Sequence, residues 1–254
     1  MTDFGTEDGY VGAMKGRIFS IAPQATIVDI THQIPRYNIR FASFTLLNIF
    51  PYFPEGSIHV VVIDPGVGSR RRALLMEVGG KIIICPDNGV ASLIFDRYKE
   101  LKIYSIGTDW ISWDISTTFH GRDIFAPAAA VLAAGKEPDE IASPLNEPPV
   151  NFMLPISLLG QKRLQLRVLH IDHFGNIITN LHKSQFEELG IHEGVKLKVT
   201  HGFIYGIKKT YSDVGRGQYL LLWDSSGYLE IAQNQGNAAL SMNIKENDEL
   251  ILEY

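Results

Sequence analysis

Apolar positions along the 254-residue chain change their spacing near residue 145. Before that point, short apolar runs alternate with segments of helical period. Residues 9–20 carry Val11, Met14 and Ile18 at helical spacing and close at Ala22-Pro23. Residues 38–50 offer Phe41, Phe44, Leu46 and Leu47 to a core in the same way. Residues 25–30 are rich in β-branched side chains, and 58–63, 73–78 and 82–85 read as strands, followed by a helix over 90–98. Asp123 is placed to cap a last helix through residue 134, with Pro127 in its tolerant first turn. Short apolar strands separated by helices predict an α/β domain whose mostly parallel sheet is covered on both faces.

After Pro144 the pattern becomes strand-dominated. Asn146-Glu147-Pro148-Pro149-Val150, with Pro155 beyond, reads as a linker. Strands are expected at 164–171, 175–179, 195–200, 203–208, 218–223, 228–231 and 249–252, with one short helix at 183–189. That pattern suits a small β-barrel or sandwich. The expected division is a domain over 1–145, a linker over 146–160 and a second domain over 161–254.

Composition narrows the function classes. A net charge of −5 argues against nucleic acid as a partner, because phosphate contact needs a basic excess. The single cysteine, Cys85, lies in an apolar run and reads as a buried small hydrophobe. No CxxC metal pattern exists, and no metal is expected. The first residues lack the basic and apolar regions of a signal peptide, and no apolar run approaches ~18 residues, so a cytoplasmic protein without a membrane span is expected.

Candidate chemistry gathers where apolar runs stop at Asp and turn through Gly. Asp3 lies in Thr-Asp-Phe-Gly, Asp64 in Asp-Pro-Gly-Val-Gly, Asp87 in Pro-Asp-Asn-Gly and Asp172 in Asp-His-Phe-Gly-Asn. Each alone is ordinary turn chemistry, but ligands of open sheets bind beyond strand ends of this kind. The turn after Asp64 lacks the Gly-Lys-Ser/Thr ending of a phosphate loop. Residues 117–123 add His120 and Arg122 around Gly121, without the His or Cys neighbours of a metal site. Residue chemistry by itself reaches a small-molecule site with Asp, Arg and His candidates.

Taken together, these blocks resemble the S-adenosyl-L-methionine hydroxide adenosyltransferase family, the hydrolytic relatives of fluorinases and chlorinases. The matching residues are Thr2 to Gly5 with Asp8 to Gly16, Val62 to Gly68 with Arg71, Pro86 to Gly89 and Phe119 to Asp123. They continue through Asp172 to Asn176, Ser225 to Ala232 and Gly236 to Ala239, in order over nearly the whole chain. The resemblance implies an N-terminal α/β domain, a C-terminal β-barrel and a homotrimer with active sites between subunits. It implies hydrolysis of S-adenosyl-L-methionine to adenosine and L-methionine, with that molecule as substrate and no cofactor. By the same resemblance Asp64, Arg71 and His120 form the hydrolytic triad. Asp3 would hold the ribose hydroxyls, Asp8 and Asp172 the methionine ammonium, Phe174 and Asn176 the adenine, and Ser225 the methionine carboxylate.

Either Asp64 or His120 could take the proton of an attacking water. A non-catalytic S-adenosylmethionine- or adenosine-binding protein and a halide-using transferase are the alternatives. The second is disfavoured because halogenating relatives replace Asp64 by an uncharged residue, and a carboxylate would repel a halide in a desolvated pocket. Val78-Gly79-Gly80-Lys81 also leaves no room for the fluorinase insertion. Two departures stand out. Relatives lead into Thr-Asp-Phe-Gly with an apolar strand where only Met1 stands here, so Asp3 and Asp8 are expected to be weakly held. Ser226 occupies the position of an Arg in halogenating relatives. Of the three consecutive arginines, Arg70 and Arg72 are expected to be solvated neighbours of Arg71.

Overall fold

Hydrophobic spacing translates into the expected elements over most of the chain. The computed structural model describes residues 1–153, 155–160, 162–191, 194–199 and 202–254, which form two compact units, Met1–Phe152 and Met153–Tyr254. Of the segments expected above, residue 154 in the linker, residue 161 at the start of the second domain and residue 200 at a strand end lie outside the described residues.

In the first unit, helices α1 (Tyr10–Ile21) and α2 (Ile39–Ile49) precede strands β1 (Ile58–Val60), β2 (Ala73–Val78) and β3 (Lys81–Pro86). Helix α3 (Ser92–Arg97), strand β4 (Leu101–Ile106), helix α4 (Ala126–Ala133) and strand β5 (Ala142–Pro144) complete it. Asn38 caps α2 by accepting from the Phe41 amide at 2.9 Å. The sheet order is β1-β3-β2-β4-β5. Leu75, Ile84 and Ile106 pack with Met14, Phe125, Ala129 and Leu132 on one face. Leu74, Met76 and Ile83 alternate with them in β2 and β3 and are equally buried, so both faces are covered.

The α/β class stands, but the strand directions differ from the mostly parallel expectation. Only β1 and β3 pair parallel among the named strands, while β3-β2, β2-β4 and β4-β5 are antiparallel. The cause is local. Gly79 and Gly80 are the whole connection between β2 and β3, at φ 55° and 70°, and a two-residue turn with both φ positive makes an antiparallel hairpin. Parallel neighbours need a crossover of a dozen residues or more. Strands β4 and β5 are additions that apolar patterning did not single out.

Residues 25–30 are a second difference, since they belong to no strand despite their β-branched content. Asp123 is a third. It caps no helix but lies inside a π-helical turn, Gly121–Phe125, that leads into α4. Its carboxylate accepts from the Ser116 amide at 2.9 Å and pairs with Arg122, whose charge holds it below the usual carboxylate range. Arg72 also departs from its expected solvation. It donates to the buried Asp87 at 2.7 Å and to the Pro148 carbonyl at 2.9 Å, while Asp87 accepts from the Val150 amide at 2.8 Å. Arg70 is exposed as expected.

The second unit contains strands β6 (Ser157–Leu158), β7 (Arg163–Ile171) and β8 (Ile177–His182), then helix α5 (Lys183–Glu188). Strands β9 (Lys196–Val199), β10 (Gly202–Tyr205), β11 (Tyr219–Trp223) and β12 (Tyr228–Gln233) follow, with helix α6 (Ala238–Met242) and strand β13 (Glu249–Glu253). The order β10-β9-β13-β7-β8-β12-β11, with β6 on β7, curls until Ile207 bridges Leu221. The Lys208 amide donates to the Leu221 carbonyl at 2.7 Å beside that bridge. The result is a nearly closed barrel around Leu164, Leu166, Val168, Leu197, Leu229 and Leu252, which is the barrel of the two expected forms. Among the described residues no helix is long and apolar enough to cross a membrane.

Removing the Arg72 side chain strands the Asp87 carboxylate, whose side chain is only 3% exposed. The Arg72→Ala variant is therefore expected to lose about 1.5–3 kcal/mol of stability, read from the urea midpoint of unfolding.

Candidate active site

Three turns of the first unit converge. The Asp64–Arg71 turn leaves the sheet after β1 and is tied to the next strand end by Asn88, whose Nδ2 donates to the Ile63 carbonyl at 2.8 Å. Gly68, at φ 77°, lies so close to the loop before His120 that an added Cβ would stand 2.4 Å from the Thr117 carbonyl oxygen. On the other side, the Phe4 ring meets Phe119 and Tyr10 edge-on, at 6.0 and 5.9 Å between centroids. The Asp3 turn, the Asp64 turn and the His120 turn thus pack against one another.

At their junction Arg71 holds two partners. Its Nε donates to both Asp64 oxygens at 2.9 and 3.0 Å, and its Nη2 donates to Asp64 Oδ2 as well. The same Nη2 reaches His120 Nδ1 at 2.8 Å. The two ion-paired side chains are 10% and 5% exposed, and the guanidinium lies 5.0 Å over the Phe125 ring. A guanidinium only donates, so Nδ1 must accept, and the neutral imidazole carries its proton on Nε2. Burial lowers the His120 pKa first, and the Arg71 charge lowers it further against the opposing pull of Asp64 and Asp123.

Asp3 and Asp8 occupy the neighbouring turn. Asp3 Oδ2 accepts from the Tyr37 amide at 2.9 Å, whereas Asp8 is exposed and its side chain makes no hydrogen bond or ion pair among the described residues. The weak anchoring expected for Asp3 is not what the structure presents. Thr2 bridges Val62 in parallel register, its amide donates to the Thr31 carbonyl at 3.1 Å, and Met1 and Thr2 are both buried.

In the second unit Asp172, Phe174 and Asn176 share one turn. Asp172 Oδ1 accepts from the amides of Phe174 and Asn176 at 2.9 and 2.8 Å, and Oδ2 from Asn176 Nδ2 at 2.9 Å. That bracing leaves the Phe174 ring 73% exposed at the turn's tip. Ser225 lies on a different turn, between β11 and β12, exposed and without a hydrogen-bond partner among the described residues. The two turns flank Glu230, a residue that sequence reasoning passed over although it sits in the apolar run Tyr228 to Ala232. Glu230 is buried and accepts from the Tyr211 hydroxyl at 2.8 Å. Burial pushes its pKa up to about 7, and the charges of Asp172 and Asp224 add to that effect. A charged side chain inside an otherwise apolar strand was the available signal. Among the described residues no group of three or more His, Cys, Asp or Glu side chains converges as a metal-ligand set.

A partly desolvated Asp–Arg–His constellation on converging turns of an α/β unit, joined in one chain to a small barrel, defines an enzyme that acts on a small polar substrate. Family models for the SAM hydroxide adenosyltransferase N-terminal and C-terminal domains match residues 1–142 and 166–251, and the chain belongs to that family. A relative from Methanocaldococcus jannaschii named (R)-S-adenosyl-L-methionine hydrolase is 35% identical, covering 100% of this chain and 94% of its own length. A fluorinase from Actinopolyspora mzabensis is 27% identical, over 97% of this chain and 93% of its own. A crystal structure of an uncharacterized conserved protein from Thermotoga maritima aligns at TM-score 0.86 and 34% identity, covering 100% and 98% of the two chains.

The electrostatic reading is testable by NMR titration of His120. Its pKa is expected below the ordinary 6.5 in the unaltered protein and is expected to rise in Arg71→Met, where the Asp64 charge acts without the guanidinium. A fall or no change in the variant would contradict the assignment of Arg71 as the neighbour that depresses it.

Proposed function

We propose that this protein hydrolyses S-adenosyl-L-methionine to adenosine and L-methionine by attack of water at the ribose C5′ carbon. The observation that carries the reading is the Arg71 fork on Asp64 and His120, in a chain whose relatives at 32–35% identity are named (R)-S-adenosyl-L-methionine hydrolase. The sulfonium departs as a neutral thioether, so the displacement calls for an oriented nucleophile rather than an acid or a cofactor. The C5′–O bond forms as C5′–S breaks, the bonding pair goes to sulfur, and the water loses a proton. Because His120 Nδ1 is committed to Arg71, its Nε2–H is a donor that can orient the water oxygen. Asp64 is then the group left to accept the proton, and Arg71 fixes the direction of its carboxylate.

Asp3 and Asp8 are the proposed contacts to ribose and to the methionine ammonium. Asp172, Ser225, Phe174 and Asn176 are the proposed ammonium, carboxylate and adenine contacts from the barrel unit. Carboxylates suit a substrate that carries a sulfonium and an ammonium. The buried Glu230 behind Asp172 adds to the negative field there whenever it is ionised. We read the family's homotrimer onto the chain, with substrate held between subunits in the cytoplasm. A halide-using reaction is disfavoured by the carboxylate at position 64, which would repel the nucleophile.

Incubation with S-adenosyl-L-methionine and chromatography of the products distinguishes the readings. Adenosine and methionine are expected, with kcat lowered about 10²–10⁴-fold in Asp64→Asn. Binding without turnover would assign a binding protein, and 5′-halo-adenosine in chloride or fluoride would assign a halogenase. The depressed His120 pKa sets the pH dependence. His120 therefore protonates at lower pH than an ordinary imidazole, so the loss of kcat/KM that its protonation causes is expected to move to higher pH in Arg71→Met, where the guanidinium no longer depresses it. If the site is shared between subunits, specific activity falls on dilution together with the trimer mass in sedimentation.

A further inference from the structure

Strand β3 lies between β1 and β2, so the Asp64–Arg71 loop, which leaves the β1 side and enters β2, must cross the end of β3. Its two stems stand about 10 Å apart, twice the spacing of neighbouring strands. A chain that crosses a strand end continues neither ladder, so its position must come from other bonds. Beneath it lies the dipeptide that follows β3, Asp87-Asn88, and each of the two residues grips one stem.

Asn88 takes the first stem. Its Nδ2 donates to the Ile63 carbonyl at 2.8 Å, and its Oδ1 accepts from the Val90 amide at 3.2 Å. The Ile63 carbonyl belongs to the peptide plane that leads into Asp64, so this bond sets the plane from which the Asp64 side chain departs. Asp87 takes the second stem. Its amide donates to the Arg72 carbonyl at 2.9 Å, and its Oδ2 accepts from Arg72 Nε at 2.7 Å. Arg72 follows Arg71 in the chain, so that grip fixes the base of the side chain that forks between Asp64 and His120.

Residues 148–152 close over the same dipeptide. Asp87 Oδ1 accepts from the Val150 amide at 2.8 Å, Arg72 Nη2 donates to the Pro148 carbonyl at 2.9 Å, and Ser92 Oγ accepts from the Phe152 amide at 3.0 Å. Asp87 is buried with both oxygens engaged, which leaves neither for a substrate.

We propose that Asp87 and Asn88 are positioning residues, a clamp across both stems that holds Asp64 and Arg71 at the separation the fork on His120 requires. The catalytic consequence rests on the hydrolase reading, whereas the clamp itself does not. Misplacing a reacting group by about 1 Å can cost about 10²-fold in rate, so a loop held only at its stems makes their spacing decisive. The clamp acts on position and not on charge. The charges that act on His120 are those of Arg71, Asp64 and Asp123, so a change at Asp87 or Asn88 reaches the imidazole through the placement of Arg71.

Two variants of the full chain test this. Asn88→Ala removes the grip on the first stem, and Asp87→Asn keeps the shape but turns the acceptor facing Arg72 Nε into a donor. In each, kcat is expected to fall about tenfold or more while KM stays within about twofold. NMR titration is expected to show the His120 pKa raised toward its value in Arg71→Met, as the guanidinium leaves Nδ1. A lower unfolding midpoint with kcat and the His120 titration unchanged would overturn the proposal and leave the dipeptide a purely structural role. A raised KM at unchanged kcat would overturn it too, by assigning a substrate contact. Should Asn88→Ala fail to fold, the isosteric Asp87→Asn decides alone. If the unaltered protein forms no adenosine, the hydrolase reading fails while the His120 titration still decides the clamp.

Discussion

Everything proposed for the site depends on one guanidinium. Arg71 closes an ion pair with Asp64 and presents the same Nη2 to His120, so one cation sets the direction of a carboxylate and the tautomer of an imidazole. A lysine ammonium lacks the planar fork that engages both carboxylate oxygens and still reaches a third group. Burial strengthens these bonds, and the Phe125 ring under the guanidinium supports the charge where water cannot. Gly68 belongs to the same constraint. The turn reaches the His120 loop only because no Cβ occupies the space before the Thr117 carbonyl.

The barrel unit gathers negative charge in a different manner. Asp172 spends its oxygens on its own turn, which leaves Phe174 projecting, and Asp224 braces the next turn through the amides of Ser226 and Tyr228 at 2.8 Å each. Glu230 stands between them with its pKa raised by burial. Near neutrality it can therefore exchange its charge for a proton, and the local field there varies with pH. A cationic ligand would draw that proton off, which couples substrate charge to a group that no motif assigned.

Much of this was legible along the chain. Helical spacing located α1, α2 and α5, and apolar runs located β2, β3 and most of the barrel strands, because burial of one face or both imposes its period directly. Asp64 and His120 stood out as polar residues on Gly-containing turns, but their grouping with Arg71 as one triad came only through resemblance to a family. Their separation of 49 residues between Arg71 and His120 carries no local signal of contact. Arg72 was misread for the same reason, since its partners Asp87 and Pro148 lie 15 and 76 residues away. Residues 25–30 were misread in the opposite direction. Their β-branched composition is that of a strand, yet a strand is defined by a neighbour, and among the described residues no strand pairs with them.

The sequence by itself determined most of the helices and strands, which turns carry carboxylates and where a barrel replaces an α/β layer, because these follow from local propensity and the period of burial. Tertiary structure decided strand direction, the Arg71 fork, the protonated nitrogen of His120 and the placement of Glu230. Each of those depends on contacts between residues distant along the chain, and no pairwise spacing in a sequence encodes such a contact before the chain has folded.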